Sequence, residues 1–341
     1  MCHIFVNFAC SIKRFQMDII RFFKNWTLAI AIALGAAVYF IFAYTPILYG
    51  IGATISPTLN TILPITLFLV LFVTFCKVDY RKLKPVKWHF WSIVVQLLFV
   101  ILLLLPVLVF HFSTPFSILF QGLIACAIGP GASAAAVVTQ KLGGKLEEMT
   151  TFTFISNFVA AFTIPLCFPL IGQGVHIVFM DTFSKILYDV CVVLLMPILF
   201  AYVVKHYFHR FHRWIIGIKD LSYYLWALSL VIVSGTTVKN IVHAETTPLF
   251  LELMGFASLL LCIILFAVGR TVGRHFNSTI EFGQAQGQKN TVFAIWVAYS
   301  YLNPIASIGP GCYVLWQNII NSVEIWAYRK KDLALADNST D

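Results

Sequence analysis

Charge is what this sequence has least of. Only 11% of its 341 residues are Asp, Glu, Lys or Arg, whereas 60% are hydrophobic. A soluble domain carries about a quarter charged residues and about half apolar ones. A water-soluble chain of this length could not hide so much apolar surface, so the bilayer is the solvent for most of it. Carboxylates are scarcer still, 14 against 23 Lys and Arg, which leaves a net charge of +9. In a soluble protein that excess would point to nucleic acid. Here the basic residues sit in short loops between apolar runs, where they fix orientation. No separate basic domain grips phosphates, and no nucleic-acid partner is expected.

Paired cysteines and catalytic motifs are missing too. No CxxC occurs among the eight cysteines. Cys76, Cys126, Cys167, Cys191, Cys262 and Cys312 fall in or at apolar runs, and Cys2 and Cys10 in the N-terminal arm. They read as small thiols packed between helices rather than as a disulfide framework. There is no HExxH and no paired-aspartate motif, and the nine histidines lie in the arm, in loops or near the ends of runs. An intramembrane serine hydrolase needs a serine and a histidine facing each other at membrane depth. No catalytic residue, metal ligand or cofactor is therefore assigned. An intramembrane enzyme lacks its motif, a channel lacks a repeated filter, and a membrane sensor lacks a visible soluble output domain.

What is present is a series of apolar runs, at 26–46, 58–76, 89–111, 115–141, 149–170, 178–203, 220–239, 247–269, 271–302 and 306–327. Basic residues alternate between the loops. Lys77, Arg81, Lys82, Lys84 and Lys87 follow the second run, Lys205, Arg210, Arg213 and Lys219 the sixth, and Arg329, Lys330 and Lys331 the tenth. Positive loops face the cytoplasm, which predicts an even number of spans with both termini cytoplasmic in a cell (inner) membrane. Trp26, Trp88, Trp91 and Trp326 are expected as an aromatic belt at that boundary. The expected organisation is a cytoplasmic arm over 1–25, one transmembrane domain over 26–327 and a cytoplasmic tail over 328–341. Residues 1–24 show no clean signal-peptide cleavage site. Met17 opens a plausible lead-in to the first span, so 1–16 read either as an upstream extension or as part of the mature chain.

The starts of the runs repeat at an offset of roughly 157 residues, dividing the domain into units over about 26–170 and 178–327. An odd number of spans per unit makes the second unit enter from the opposite side. The fold expected is an all-α integral membrane protein, with ten transmembrane helices in two inverted five-helix repeats.

Two runs are interrupted at matching points. The fourth holds Gly129-Pro130-Gly131, and the ninth holds the polar stretch Gly283 to Asn290. Unsatisfied backbone groups cost several kcal/mol each in hydrocarbon, so irregular backbone at membrane depth survives only inside protein or around a cavity. Broken helices four and nine are expected to cross near the midplane and present their bare ends to one small volume, a ready-made ion or solute site. The candidate binding residues are Gly129, Pro130, Gly131 and Ser133 at the first break. Thr153 follows on the next helix, and Gln284, Gln286, Gly287, Gln288, Lys289 and Asn290 stand at the second break. Intramembrane ionisable groups default to function. For Lys289 the structural alternative is pairing with Asp189 or Glu281.

Gly129-Pro130-Gly131-Ala132-Ser133, Gly287-Gln288-Lys289-Asn290 and the stretch Pro310 to Ile319 resemble the bile acid:sodium symporter family. The resemblance implies a core domain carrying the crossed helices beside a panel domain. It also implies solute transport by movement of one against the other, often of organic anions driven by sodium. The departures fall on the sodium ligands. Where sodium-using members carry a Ser-Asn pair, this chain has Ala135 and Ala136. Of two hydroxyl positions on the following helix, Met149 and Thr153 stand there and only Thr153 matches. Anchored on Gly287, where the family has Glu-x-Gly-x-Gln-Asn, this chain reads Ala285-Gln286-Gly287-Gln288-Lys289-Asn290. A second frame through Glu281-Phe282-Gly283 restores a Glu but puts Ala285 at the glutamine position and requires extra residues before Pro310-Gly311, and the first frame is preferred.

Sodium needs hard oxygen ligands, and an ammonium in their place is a tethered cation. The expected function is thus a secondary transporter of a small organic solute, an organic anion by resemblance, independent of sodium with Lys289 replacing the ion. A buried lysine can also carry a proton, so protons are candidate partners. A conventional sodium-coupled symporter of the same family is the alternative.

Overall fold

The computed structural model describes residues 29–337, apart from 111, 173–178, 219 and 245. All regular elements among them are helical. They are α1 (Ala29–Tyr44), α2 (Pro46–Cys76), a short 3-10 turn (Tyr80–Lys82), α3 (Lys87–Phe110), α4 (Thr114–Ile128), α5 (Ala135–Lys141) and α6 (Leu146–Ile171). Then come α7 (Phe179–Leu194), α8 (Met196–Tyr207), α9 (His209–Gly217), α10 (Leu221–Val242) and α11 (Pro248–Arg274). The chain closes with α12 (Thr279–Gly287), α13 (Thr291–Tyr301), a 3-10 turn (Pro304–Ser307) and α14 (Ile308–Asp337).

Helix α3 shows which solvent the fold is built for. Ser92 and Gln96 are buried in line with Val100 and Leu104, at a spacing of four residues that makes one helical face. Leu98, Ile101, Leu102, Leu105 and Val109 are exposed instead. Polar groups inside and leucines outside invert the pattern of a water-soluble helix. Five helical stretches are long and apolar enough to cross a bilayer: Lys87–Phe110, Leu146–Ile171, Phe179–Tyr207, Leu221–Val242 and Pro248–Arg274. The chain is a multi-pass membrane protein.

Without a hydrophobic drive between helices in lipid, close backbone approach carries the packing. Gly35 of α1 and Gly235 of α10 meet so closely that a Cβ on Gly35 would lie 2.9 Å from the Gly235 nitrogen. Polar clamps hold the helix ends. Glu148 at the start of α6 accepts hydrogen bonds from Trp88 Nε1 and from Lys145 Nζ, both at 2.7 Å. The His89 ring accepts from Val86 N at Nδ1 and reaches the Glu148 carbonyl from Nε2. The bond to Glu148 holds the Lys145 ammonium above the ordinary lysine range.

Several expected boundaries move. Helix α11 runs through to Arg274, so residues 271–274, expected to open the ninth run, close this helix instead, and the next helix begins at Thr279. Gly273 packs against Ser278 and Phe282, which needs the turn between them to be tight. Helix α14 continues to Asp337, beyond the expected end at 327. The basic loop after α8 contains a further helix, α9, whose polar composition hid it among loop residues. Trp88 does not join an aromatic belt. It is buried against Phe152 and Phe282, whereas Trp91 and Trp326 are exposed. Trp26 lies outside the described residues, as do the whole arm over 1–25 and the last four residues of the tail.

Candidate functional site

Helix α4 ends at Ile128 and α5 begins at Ala135, with the chain non-helical at Gly129 and Pro130 between them. Helix α12 ends at Gly287 and α13 begins at Thr291. The two breaks cross and pair like strands. Gly131 and Lys289 form an isolated antiparallel bridge. Ala132 N donates to Gln288 O at 3.0 Å, and Asn290 N donates to Pro130 O at 2.8 Å. Each break thereby satisfies backbone groups that the other leaves open, which is what allows four helix ends to meet deep inside an apolar protein.

Side chains from other helices brace this crossing. On the first break, Gln96 Nε2 of α3 donates to the carbonyls of Ile128 and Gly129, both at 3.2 Å. Ser156 Oγ of α6 accepts from Gly131 N at 3.0 Å. On the second break, Gln317 of α14 accepts from Lys289 N at 2.9 Å and donates back to Lys289 O at 3.2 Å. Tyr313 OH donates to Gly287 O at 2.8 Å. Asn290 caps α13 by accepting from Phe293 N. Gly287 fits only without a side chain, since a Cβ there would fall into the Phe266 ring.

The expected site residues separate into two sets. Gly129, Pro130, Gly131, Gly287, Gln288, Lys289 and Asn290 form the crossing itself. Ser133 is half-buried just beyond it. Thr153 is buried and donates to Met149 O within its own helix. Gln284 and Gln286 are committed elsewhere. Gln284 Nε2 donates to Asn321 Oδ1 at 2.9 Å and to Glu324 Oε2, and Glu324 pairs with Arg270. Gln286 Nε2 donates to the carbonyl and hydroxyl of Ser92.

Lys289 is fully buried, and its Nζ has no hydrogen-bond partner among the described residues. The pairing with Asp189 or Glu281 is not formed. Asp189 accepts from Tyr301, and Glu281 accepts from Lys145 N. Other buried polar atoms in the same condition include both amide atoms of Asn157, the Thr139 hydroxyl and the Oε1 atoms of Gln96, Gln284, Gln286 and Gln288. Buried polar groups are normally satisfied, so this collection is suited to a polar ligand or to water.

Beside it lies an apolar cluster of Trp88, Ala135, Ala136, Met149, Phe152, Phe282 and Ala285. Four of these seven, Ala135, Ala136, Met149 and Ala285, stand at the positions where the resemblance places oxygen ligands for sodium in other members of that family. The fold brings all four together, and they supply methyl and thioether groups. That set does not fit a sodium ion, which takes oxygen donors as other hard cations do.

Gln96, Tyr313 and Gln317 were not singled out from the sequence as site residues. Gln96 is a lone amide in an apolar helix, and Tyr313 and Gln317 belong to the stretch that carries the family resemblance. Those were the available signals.

The model of the Sodium Bile acid symporter family matches residues 64–244. No curated protein matches the chain.

Proposed function

Because the chain belongs to the sodium bile acid symporter family, we propose that it is a secondary transporter of a small organic anion that works without sodium, Lys289 standing in for the ion. The apolar cluster of Ala135, Ala136, Met149 and Ala285 carries this reading. An oxygen cage is replaced by hydrocarbon and one thioether, while a cation is built into the crossing through the backbone of residue 289. The Lys289 ammonium, without a hydrogen-bond partner among the described residues, is the counter-charge for an anionic solute. A proton is the co-substrate if Lys289 gives one up during the cycle.

We further read the fold as two inverted five-helix repeats. Helix α2 corresponds to α10, α3 to α11, α4–α5 to α12–α13 and α6 to α14, at the offset of roughly 157 residues. The bracing supports this. Ser156 on Gly131 and Tyr313 on Gly287 stand at that offset, so each break is tied to the helix that follows it in its own repeat. The packing of α2 with α7, α8 and α10, and of α1 on α10 through Gly35 and Gly235, supports a panel of α1, α2, α7, α8 and α10 beside a core of α3–α6 and α11–α14. In alternating access the core, with the crossing inside it, shifts against the panel and opens the site to one side of the membrane at a time. Both termini are then cytoplasmic in a cell (inner) membrane.

The test is thermal unfolding of the detergent-purified protein against sodium, with choline chloride holding ionic strength constant. A ligand that binds only the folded state raises the melting temperature saturably. No sodium-specific rise is expected. A saturable rise would overturn the reading and restore the conventional sodium-coupled symporter. Solute flux into liposomes separates either transporter from a membrane sensor or enzyme.

A further inference from the structure

The loop that follows α8 has chemistry that transport does not use. A cavity of about 550 Å³ lies where α2 and α8 run out of apolar residues. It is lined by Lys77, Arg81 and Lys205, by His206 and His212, and by a single carboxylate, Asp79. Asp79 is already occupied, since its Oδ1 accepts from Arg81 N to cap the 3-10 turn. Lys77 and Arg81 have no ion-pair partner among the described residues.

The walls of this cavity are fixed. Lys205 Nζ donates to Val78 O at 2.8 Å and sits 5.1 Å from the centre of the Tyr80 ring. An ammonium has three donors, so two remain for a ligand. Burial pushes the Tyr80 phenol up, which keeps it neutral. His212 on α9 reaches the Cys76 carbonyl at 2.8 Å, and Ile215 is buried. Helix α9 is thereby docked as the lid of the cavity.

The outer side of α9 says which medium it meets. Phe211 and Trp214 stack on each other 5.7 Å apart and are exposed, with Trp214 60% accessible. Tyr207 and Phe208 just before them are exposed as well. Arg210 and Arg213 lie between these aromatics. Exposed aromatics interleaved with arginines, at the point where two apolar helices end, are the composition of a helix lying in the headgroup layer.

We propose that this cavity binds the phosphodiester headgroup of an anionic phospholipid, with Lys77, Arg81 and Lys205 holding the phosphate and the aromatics of α9 resting among the acyl chains. Basic pockets between membrane helices recognise headgroups in this way. The aromatic lid commits the site to lipid rather than to free phosphate, because it puts the mouth of the cavity at the bilayer surface.

The test is the melting temperature of the full-length protein in neutral detergent, titrated with phosphatidylglycerol, phosphatidylcholine or inorganic phosphate. Phosphatidylglycerol is expected to give a saturable rise of a few degrees, and the other two none. In the Lys77→Gln/Arg81→Gln variant, whose fold keeps the Lys205 and His212 bonds, the apparent affinity falls by roughly thirtyfold, the attraction of two cations near a surface. Lys330→Gln, a cation elsewhere on the surface, leaves it unchanged. Equal responses to both lipids, an undiminished response in the double variant, or a rise with inorganic phosphate alone would overturn the proposal.

Discussion

Tyr301 on α13 donates a 2.6 Å hydrogen bond to Asp189 on α7. It joins the helix that carries the second break to the helix pair that borders it, and Asn240 on α10 donates similarly to Ser307 beyond α13. Both residues of the first pair are half-buried. A carboxylate at membrane depth is costly unless it is bonded. Tyr301→Phe removes the hydroxyl that donates to Asp189 and is expected to destabilise the protein by about 1–3 kcal/mol. Asp189→Asn keeps an oxygen that accepts from Tyr301, and the expected loss is smaller. Thermal unfolding of the two variants side by side gives the order. If Tyr301→Phe melts with the wild type, the bond contributes nothing to holding these helices together.

Ser156 and Tyr313 each hold one strand of the crossing, the first by accepting from Gly131 N and the second by donating to Gly287 O. Ser156→Ala and Tyr313→Phe are expected to cost about 1–3 kcal/mol each, because each leaves a buried backbone group without its partner. The two lie on opposite sides of one antiparallel bridge, so the double variant should differ from the sum by at least about 0.5 kcal/mol. Strict additivity in the double-mutant cycle would show that the breaks are held independently.

Gly287 sits against the Phe266 ring with no room for a side chain. Gly287→Ala forces α11 and α12 apart at the second break, an overpacking change expected to cost about 1–3 kcal/mol or more. Phe266→Leu on its own opens a smaller defect, and in the combined variant it makes space for the new methyl group. The combined variant is therefore expected to melt above Gly287→Ala alone. A combined variant that melts lower would place the constraint on the glycine backbone instead of on the ring.

How much of this was legible in the sequence varies by residue. The breaks at Gly129-Pro130-Gly131 and at Gly287 were readable because proline and clustered amides interrupt otherwise apolar runs, and the cost of open backbone in lipid leaves few explanations for them. Their pairing through Gly131 and Lys289 was readable only as a crossing. The bracing by Gln96 and Gln317 was not, since a single amide in an apolar helix gives no direction, and its partner is a backbone carbonyl with no sequence signature. Gln284 and Gln286 drew attention as polar residues near a break, but helix periodicity turns them toward α14 and α3. Helix α9 was hidden because it is nine residues long and four of them are His or Arg, so it leaves no apolar run among the loop residues.

Ala285 and Lys289 offer the sharpest experiment on the altered ion site. Ala285 is fully buried in the apolar cluster, four residues from the lysine whose backbone pairs the two breaks. The Ala285→Glu/Lys289→Gln variant restores the carboxylate and amide that the family resemblance places at these positions. In choline it should be less stable than the wild type, because a carboxylate buried among Ala136, Met149 and Phe282 lacks partners. Sodium should return part of that loss saturably, by about 2.7 kcal/mol at a hundredfold excess over Kd. The wild type should show no such gain across the same titration. Recovery in the variant alone would mean that the apolar cluster occupies an ion site and that these two side chains decide its preference. A variant that stays equally unstable in sodium and in choline would mean that the cluster is ordinary packing, and that Lys289 has taken nothing's place.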